Sequence, residues 1–427
     1  MLETVDAAHM RAMNSSILLK LIWKDRQISR ADISRLTGMS RSTVSAIVSD
    51  LMRGGLVSET GIGHSNGGRR PVILSFNEDA YSILGIELTA QSISAALLNL
   101  NGSVQYWVQK PCDTAQDPQA ALRVLEEVIA EVETLCARSS RPLIGVGVSL
   151  PAPVLATSGA LPFLEAMFPA WKDLSLRDFL IKRTGVPVVF EKDANLGALA
   201  ELWWGASKGE PAKNLVCLKI GRGLGAGIII DGKIYHGARG LAGELGQVLL
   251  GHARTRGGRL PDVNSFIGAK GLSQRQEELR TEHTHSALPA GSDLKTIFAA
   301  AEKGDALALT LLDEAAVTLG VAISNLLVLL DVDRVVIGGT CTPALRQRLL
   351  EVIRRTVREQ TIWPELQEAV ISESPLGEQQ VAIGAATMLL EKALNELSFF
   401  KKTAVSAIMA DKNWSDEEGF AATQGIN

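Results

Sequence analysis

Residues 214–247, Asn214 to Gln247, read NLVCLKIGRGLGAGIIIDGKIYHGARGLAGELGQ, and the rest of the chain is organised around them. An apolar strand leads into a loop where Gly221, Gly223, Gly225 and Gly227 take alternate positions. A second strand follows through Ile228, Ile229 and Ile230 to an Asp231-Gly232 turn. Glycine lacks a Cβ, so backbone amides in such a loop can crowd against a ligand; a plain glycine-rich hairpin explains the alternation equally well. The continuation Gly240-Leu241-Ala242-Gly243-Glu244-Leu245-Gly246-Gln247 favours a ligand. Its lone carboxylate, Glu244, sits among small apolar residues, where it suits a polar guest better than a solvated surface.

In order and spacing this stretch resembles the ROK family of sugar kinases and repressors, in which a second phosphate loop precedes a Gly-Glu-x-Gly-His sugar-binding segment. Two positions depart from that pattern. Arg222 stands where threonine or serine is usual, and Gln247 where the histidine is expected.

A chain of 427 residues exceeds one ordinary core, so two or three domains are expected. Hydrophobic residues at 46% and charged ones at 21% fit a globular protein. No run of about 18 apolar residues is evident, which predicts no membrane span. The first residues, with Glu3 and Asp6, do not read as a secretory signal. Cys112, Cys136, Cys217 and Cys341 are widely separated, which fits a reducing cytoplasm and excludes a disulfide scaffold.

Charge is uneven. Residues 1–76 hold ten Lys or Arg against six Asp or Glu, while the remainder holds 33 against 41. A basic head on an acidic body implies that the head alone meets a polyanion.

Within the head, Ile17, Leu18, Leu21 and Ile22 recur at helical spacing and predict an amphipathic helix over 13–23. Ser29 and Asp32 form a capping box opening a short helix through Ile33 and Leu36, which Gly38 ends. Ser40 caps the next helix, where Val44, Ile47, Val48 and Leu51 make one buried stripe and Arg41, Ser42, Ser45 and Ser49 face away. Thr43 also lies in the first turn. Gly54-Gly55 stops it. Small polar and basic groups at the start of a second helix suit a major-groove reader, because bulky ones would hold it off the base edges. A returning strand, Pro71 to Phe76, makes a wing whose Arg69 and Arg70 are placed for phosphate or minor groove. The alternative is a dimerisation domain with a charged face, but such faces usually carry Glu and Lys rather than serines with arginines.

From Tyr81 the pattern becomes strand, helix, strand: a hairpin over 83–88 and 93–100, a third strand over 103–108, a helix over 118–136 and a strand over 144–149. Val186 to Phe190 reads as a strand, and Glu191-Lys192-Asp193-Ala194-Asn195 opens a helix running to Trp204. Ala306 to Leu330 is a helix apolar all round, hence buried, and Ile383 to Leu397 closes the body.

The ROK resemblance, spanning roughly residues 10–395, gives these elements roles. It implies an α/β fold: a winged helix-turn-helix (1–76), a two-lobed actin-like ATPase (ribonuclease H-like) sugar-kinase body (77–398), and a polar tail (399–427). Kinases of this family carry Asp-x-Gly-x-Thr in the first hairpin; the aligned residues here are Glu87, Thr89 and Gln91. With the Gly221, Arg222, Gly223, Gly225 loop, this implies vestigial phosphate loops, no cofactor and no kinase activity. The Asp-Ala-Asn motif implies that Asp193 stands at the general-base position and contacts the sugar. Lys192, Asp193, Glu244 and Gln247 are then the effector-binding residues, and Lys192, replacing an asparagine, points to an acidic effector. Leu150 to Val154, Pro169-Ala170-Trp171 and Asp333 to Thr340 match stretches that border sugar and adenosine. The family's zinc cysteines are missing from 252–261, so no structural metal is expected there. The expected function is a cytoplasmic repressor of carbohydrate genes, a homodimer or dimer of dimers on operator DNA, released or recruited by a sugar-like effector. The alternatives are a sugar kinase with an accessory head and a ligand-free interaction scaffold.

Overall fold

The computed structural model describes residues 7–62, 71–155, 161–205, 212–221, 223–251, 260–338 and 343–400. Expectations for Arg69, Arg70, Arg222, the segment 252–259 and the tail from 401 lie outside the described residues. The chain forms two compact units, residues 1–148, 167–190 and 385–427 in the first and 149–166 and 191–384 in the second.

The first unit begins with α1 (Ala7–Asp25), longer than the sequence predicts. Leu18, Leu19 and Ile22 are buried but Ile17 is 42% exposed, because Leu19 rather than Ile17 faces the core. After β1 (Ile28–Ser29) comes α2 (Arg30–Thr37). The Ser29 hydroxyl accepts from the Asp32 amide at 3.2 Å, and Gly38 caps the far end at φ 71°. A left-handed cap of this kind is cheap only for a residue without Cβ. α3 (Arg41–Arg53) starts at Ser40, whose hydroxyl accepts from the Thr43 amide, and buries Val44, Ile47, Val48 and Leu51 as expected. β2 (Val57–Ile62) and β3 (Val72–Phe76) are the wing. Two-residue β1 adds to its edge, giving the order β1-β3-β2.

The same unit continues with β4 (Ser82–Leu88), β5 (Ser92–Asn99), β6 (Val104–Pro111), α4 (Pro118–Ser139) and β7 (Leu143–Leu150). α6 (Leu176–Thr184) and β8 (Val188–Lys192) follow, after α5 (Pro162–Met167), which belongs to the second unit but for its last residue. The sheet order is β6-β5-β4-β7-β8. β4 is buried throughout, as a central strand covered on both faces must be.

The second unit holds α7 (Asp193–Trp203), β9 (Leu215–Ile220), β10 (Leu224–Ile230) and β11 (Lys233–Ile234). Lys192 thus ends a strand and Asp193 alone opens the helix. Then come α8 (Asn264–Ile267), α9 (Ala269–Leu279), α10 (Leu294–Glu302), α11 (Ala306–Leu330) and β12 (Arg334–Gly338). α12 (Pro343–Gln360), α13 (Pro364–Gln367) and β13 (Val370–Glu373) complete it. The order β11-β10-β9-β12-β13 repeats that of the first unit. β9 pairs antiparallel with β10 and parallel with β12. Contrary to the sequence expectation, α11 is long and apolar enough to cross a membrane. Its Leu319, Ile323 and Leu327 are buried in the core with β9 and β10 residues, and its Leu312 in a second cluster with Leu272 and Ile297, which identifies a core helix of this unit. α14 (Gln380–Asn395) begins in the second unit and ends in the first.

Candidate functional site

In the head, Arg41, Ser42 and Ser45 are exposed on α3, and Thr43 is half-buried. Ser40 and Thr43 are committed to the cap: the Ser40 hydroxyl lies 2.8 Å from both the Ser42 and Thr43 hydroxyls. Arg41 and Ser45 stand exposed on this face with Ser42, whose hydroxyl also meets the cap. On the buried side, Asp50 is 2% exposed and takes Arg11 at 2.5 Å as well as Arg53. That pairing ties α1 to α3, and a residue on an otherwise apolar stripe gave no sign of it in the sequence.

The glycines of the central stretch divide into two kinds. Gly225 and Gly227 belong to β10, not to a loop. A Cβ on Gly227 would sit 2.0 Å from the Ala194 carbonyl oxygen, so this glycine lets α7 lie directly on the sheet. Gly243, at φ 79°, has its absent Cβ 1.8 Å from the Ala226 carbonyl oxygen, and Ala226 donates its amide to the Gly243 carbonyl at 2.8 Å. These positions serve backbone packing. Gly221 and the turn residue Gly232 have open space where a Cβ would be. Asn264, which the sequence reading missed, locks the turn: its Oδ1 accepts from the Leu224 amide at 2.9 Å.

That packing brings the acidic residues to lysines. Lys192, only 5% exposed, donates to Glu244 Oε1 at 2.6 Å and lies 3.4 Å from the Ala242 carbonyl. Gln247 donates to the other Glu244 oxygen at 3.2 Å. Lys219, at the end of β9, donates to Asp193 Oδ2 at 2.8 Å, while Oδ1 accepts the Ala194 amide at 2.7 Å. Behind them, Glu191 Oε1 accepts from the Lys192 amide and Asn195, and Oε2 lies 2.7 Å from His236 Nε2. Neither Lys219 nor His236 was singled out from sequence. Each stands 26 or 45 residues from the acid it meets, and only sheet pairing makes them neighbours.

Each carboxylate thus has both oxygens engaged yet keeps lone pairs for a ligand hydroxyl, since a carboxylate can accept about four hydrogen bonds. A sugar can be gripped here. Proton abstraction is poorly served, because a general base needs its acceptor oxygen directed at the substrate proton and Asp193 Oδ2 is directed at an ammonium.

The first hairpin lies in the other unit. Glu87 is buried in β4 and Gln91 is exposed. Thr89 closes the turn on itself: its hydroxyl accepts from the Ser92 amide at 3.0 Å and its amide donates to the Ser92 carbonyl at 3.0 Å. The Thr89 side chain is thus engaged within its own turn. Separately, a cavity of about 610 Å³ in the second unit is lined by Ile220, Leu312, Leu319, Ile337 and Leu349, with Arg346 and Glu373 paired beside it. None of the acid and lysine residues above lines it. Among the described residues no group of three or more His, Cys, Asp or Glu could hold a metal ion.

The xylose repressor of Caldicellulosiruptor bescii is 28% identical over 393 residues, covering 90% of this chain and 97% of the relative. A glucokinase of Halalkalibacterium halodurans is 36% identical over 216 residues, but these cover 48% of this chain and 64% of the enzyme. The crystal structure of a ROK family transcriptional regulator, a homologue of the Escherichia coli MLC protein, superposes with a TM-score of 0.76 at 26% identity. It covers 93% of this chain and all of that one. A winged helix-turn-helix DNA-binding model matches residues 17–58, and the ROK family model matches residues 83–392. With most of its length in that match, the chain belongs to the ROK family.

Proposed function

We propose that this protein is a DNA-binding repressor of carbohydrate uptake or catabolism genes, controlled by a sugar-like effector. The observation that carries this is the joining, in one chain, of a winged head to a sugar-kinase body whose Asp193 is tied to Lys219. Arg41, Ser42 and Ser45 enter the major groove, with Ser40 and Thr43 fixing the helix start and Arg69 and Arg70 contacting phosphate or the minor groove. Lys192, Asp193, Glu244 and Gln247 hold the effector. The protein works in the cytoplasm as a two-fold dimer on an inverted repeat. By linkage, an effector that prefers the unbound form weakens DNA binding by the same factor that DNA weakens effector binding.

Two buried or half-buried ammonium groups beside the carboxylates favour an effector carrying a carboxylate or phosphate. Calorimetric titration with D-xylose, D-glucose, D-gluconate and D-glucuronate tests this. A neutral sugar binding far more tightly than either acid removes the preference for an anion; no sugar binding at all removes the effector site.

Kinase activity is not part of this function. The retained Asp193 favours the kinase alternative, but Thr89 fills one phosphate turn and Lys219 engages the base. ATP turnover with any sugar in a coupled assay would overturn that part. Selection of DNA fragments from the source genome by the purified full chain tests the whole, with recovery of no fragment as the failing result.

A further inference from the structure

Helix α14 is fastened at both ends by groups that serve neither effector nor DNA directly. Gln380 to Leu390 are buried without interruption, so this part of the helix cannot slip along a single face. Its first turn meets α7, the helix that Asp193 opens. Gln380 Nε2 donates to Glu201 Oε1 at 2.8 Å, and Ser374 donates to the same oxygen. Glu201 is fully buried, near the end of α7. A Cβ on Gly384 would fall 1.9 Å from the Leu196 carbonyl oxygen, so the two helices touch backbone to backbone there. Residues 380–384 share the second unit with α7; residues 385–395 lie in the first, with the head.

The far end of α14 meets α1. Ser16 donates its hydroxyl to the Leu394 carbonyl at 2.8 Å, and Lys20 donates to Asn395 Oδ1. Burial near α14 also lowers the Lys20 pKa, against a raising influence from Glu391. From α1, Arg11 reaches Asp50 of α3, so side-chain contacts and helix α14 link the helix that Asp193 opens to the helix bearing Arg41.

We propose that α14 couples the effector site to the DNA-reading helix, with Glu201 and Gln380 acting as positioning residues for DNA binding. This rests on the reading of Asp193 as the effector contact. A displacement of α7 is carried by the Glu201–Gln380 bond and the close-packed Leu196–Gly384 crossing into α14. It leaves α14 through the Ser16 and Lys20 bonds into α1. A buried carboxylate oxygen that accepts from Gln380 and Ser374 together makes a stiff joint, because losing a donor away from water is costly.

The test uses the full-length protein without added sugar and an operator recovered by genomic selection, with affinity read by fluorescence anisotropy. Gln380→Leu and Ser374→Ala should each change the operator Kd by about fivefold or more. The exchanged pair Glu201→Gln/Gln380→Glu restores an amide-to-carboxylate bond and should return Kd to within about twofold of the parent. Adding Ser16→Ala to Gln380→Leu should give less than the product of the single effects, as one continuous path requires. If Gln380→Leu does not fold, Ser374→Ala and the exchanged pair decide. Operator affinities indifferent to Ser374 and Gln380, or strictly multiplicative effects, overturn the coupling while leaving DNA binding intact. Failure to recover any operator removes the DNA-binding function and this coupling together.

Discussion

The two hairpins that the fold places at equivalent positions, β4–β5 in the first unit and β9–β10 in the second, have diverged in opposite ways. Both belong to five-stranded sheets with the same strand order. In the first, the Thr89 hydroxyl closes the turn, and Ala95 and Ala96 stand on β5. In the second, glycines persist, yet Gly227 and Gly243 are required by neighbouring backbone. A glycine kept for packing and one kept for phosphate look identical in sequence. The structure separates them: Gly227 is the one that lets α7 lie on the sheet, since its Cβ would meet the Ala194 carbonyl oxygen.

The sharpest way to break this contrast is Gly227→Ala. The new methyl would meet the Ala194 carbonyl, so a loss on the order of 3 kcal/mol is expected in denaturant unfolding. Unchanged stability would show that α7 has room to retreat. Next, Glu244→Ala leaves Lys192 without its carboxylate at 5% exposure and should cost about 2 kcal/mol, reduced from the fully buried case because Glu244 is itself one-third exposed. Sugar affinity should fall at least tenfold in the same variant. Thr89→Gly probes the other hairpin. It should cost about 1 kcal/mol and confer no ATP binding by calorimetry, since Lys219 still engages Asp193.

The smallest effect lies outside both hairpins and calibrates them. The Ser29 hydroxyl, ahead of the backbone and Arg35, holds the Asp32 carboxyl below its usual range against an opposing influence from burial. The folded carboxyl therefore titrates below the unfolded one. Its contribution is complete above the ordinary aspartate value of about 3.9 and is lost as pH falls through that value toward the folded one. Ser29→Ala should remove about 1 kcal/mol at neutral pH and flatten this acid-side slope in melting curves.

The α3 stripe, both helix caps in the head and the wing strands were legible because local periodicity and capping chemistry determine them. The repeated strand order was not, since it depends on pairings between distant segments. Within the candidate site, Glu244 stood out by its small apolar neighbourhood and Asp193 through the resemblance to the Asp-Ala-Asn motif. Lys219, His236 and Asn264 did not, because each acts across a loop or strand on a partner far along the chain. Ile17 was misplaced for a simpler reason: three apolar residues in succession, Ile17, Leu18 and Leu19, leave the facing of a helix ambiguous until its neighbour is known.

The first helix serves two masters. Trp23 donates its indole N–H to the Leu100 carbonyl at 3.0 Å in the adjoining lobe, while Leu18, Leu19 and Ile22 are buried on the same helix. A head cut away at residue 76 would carry off half of that seam and expose the rest. Transplanting it onto another body demands a matching seat, so such heads should be exchanged among relatives only together with the surface they rest on.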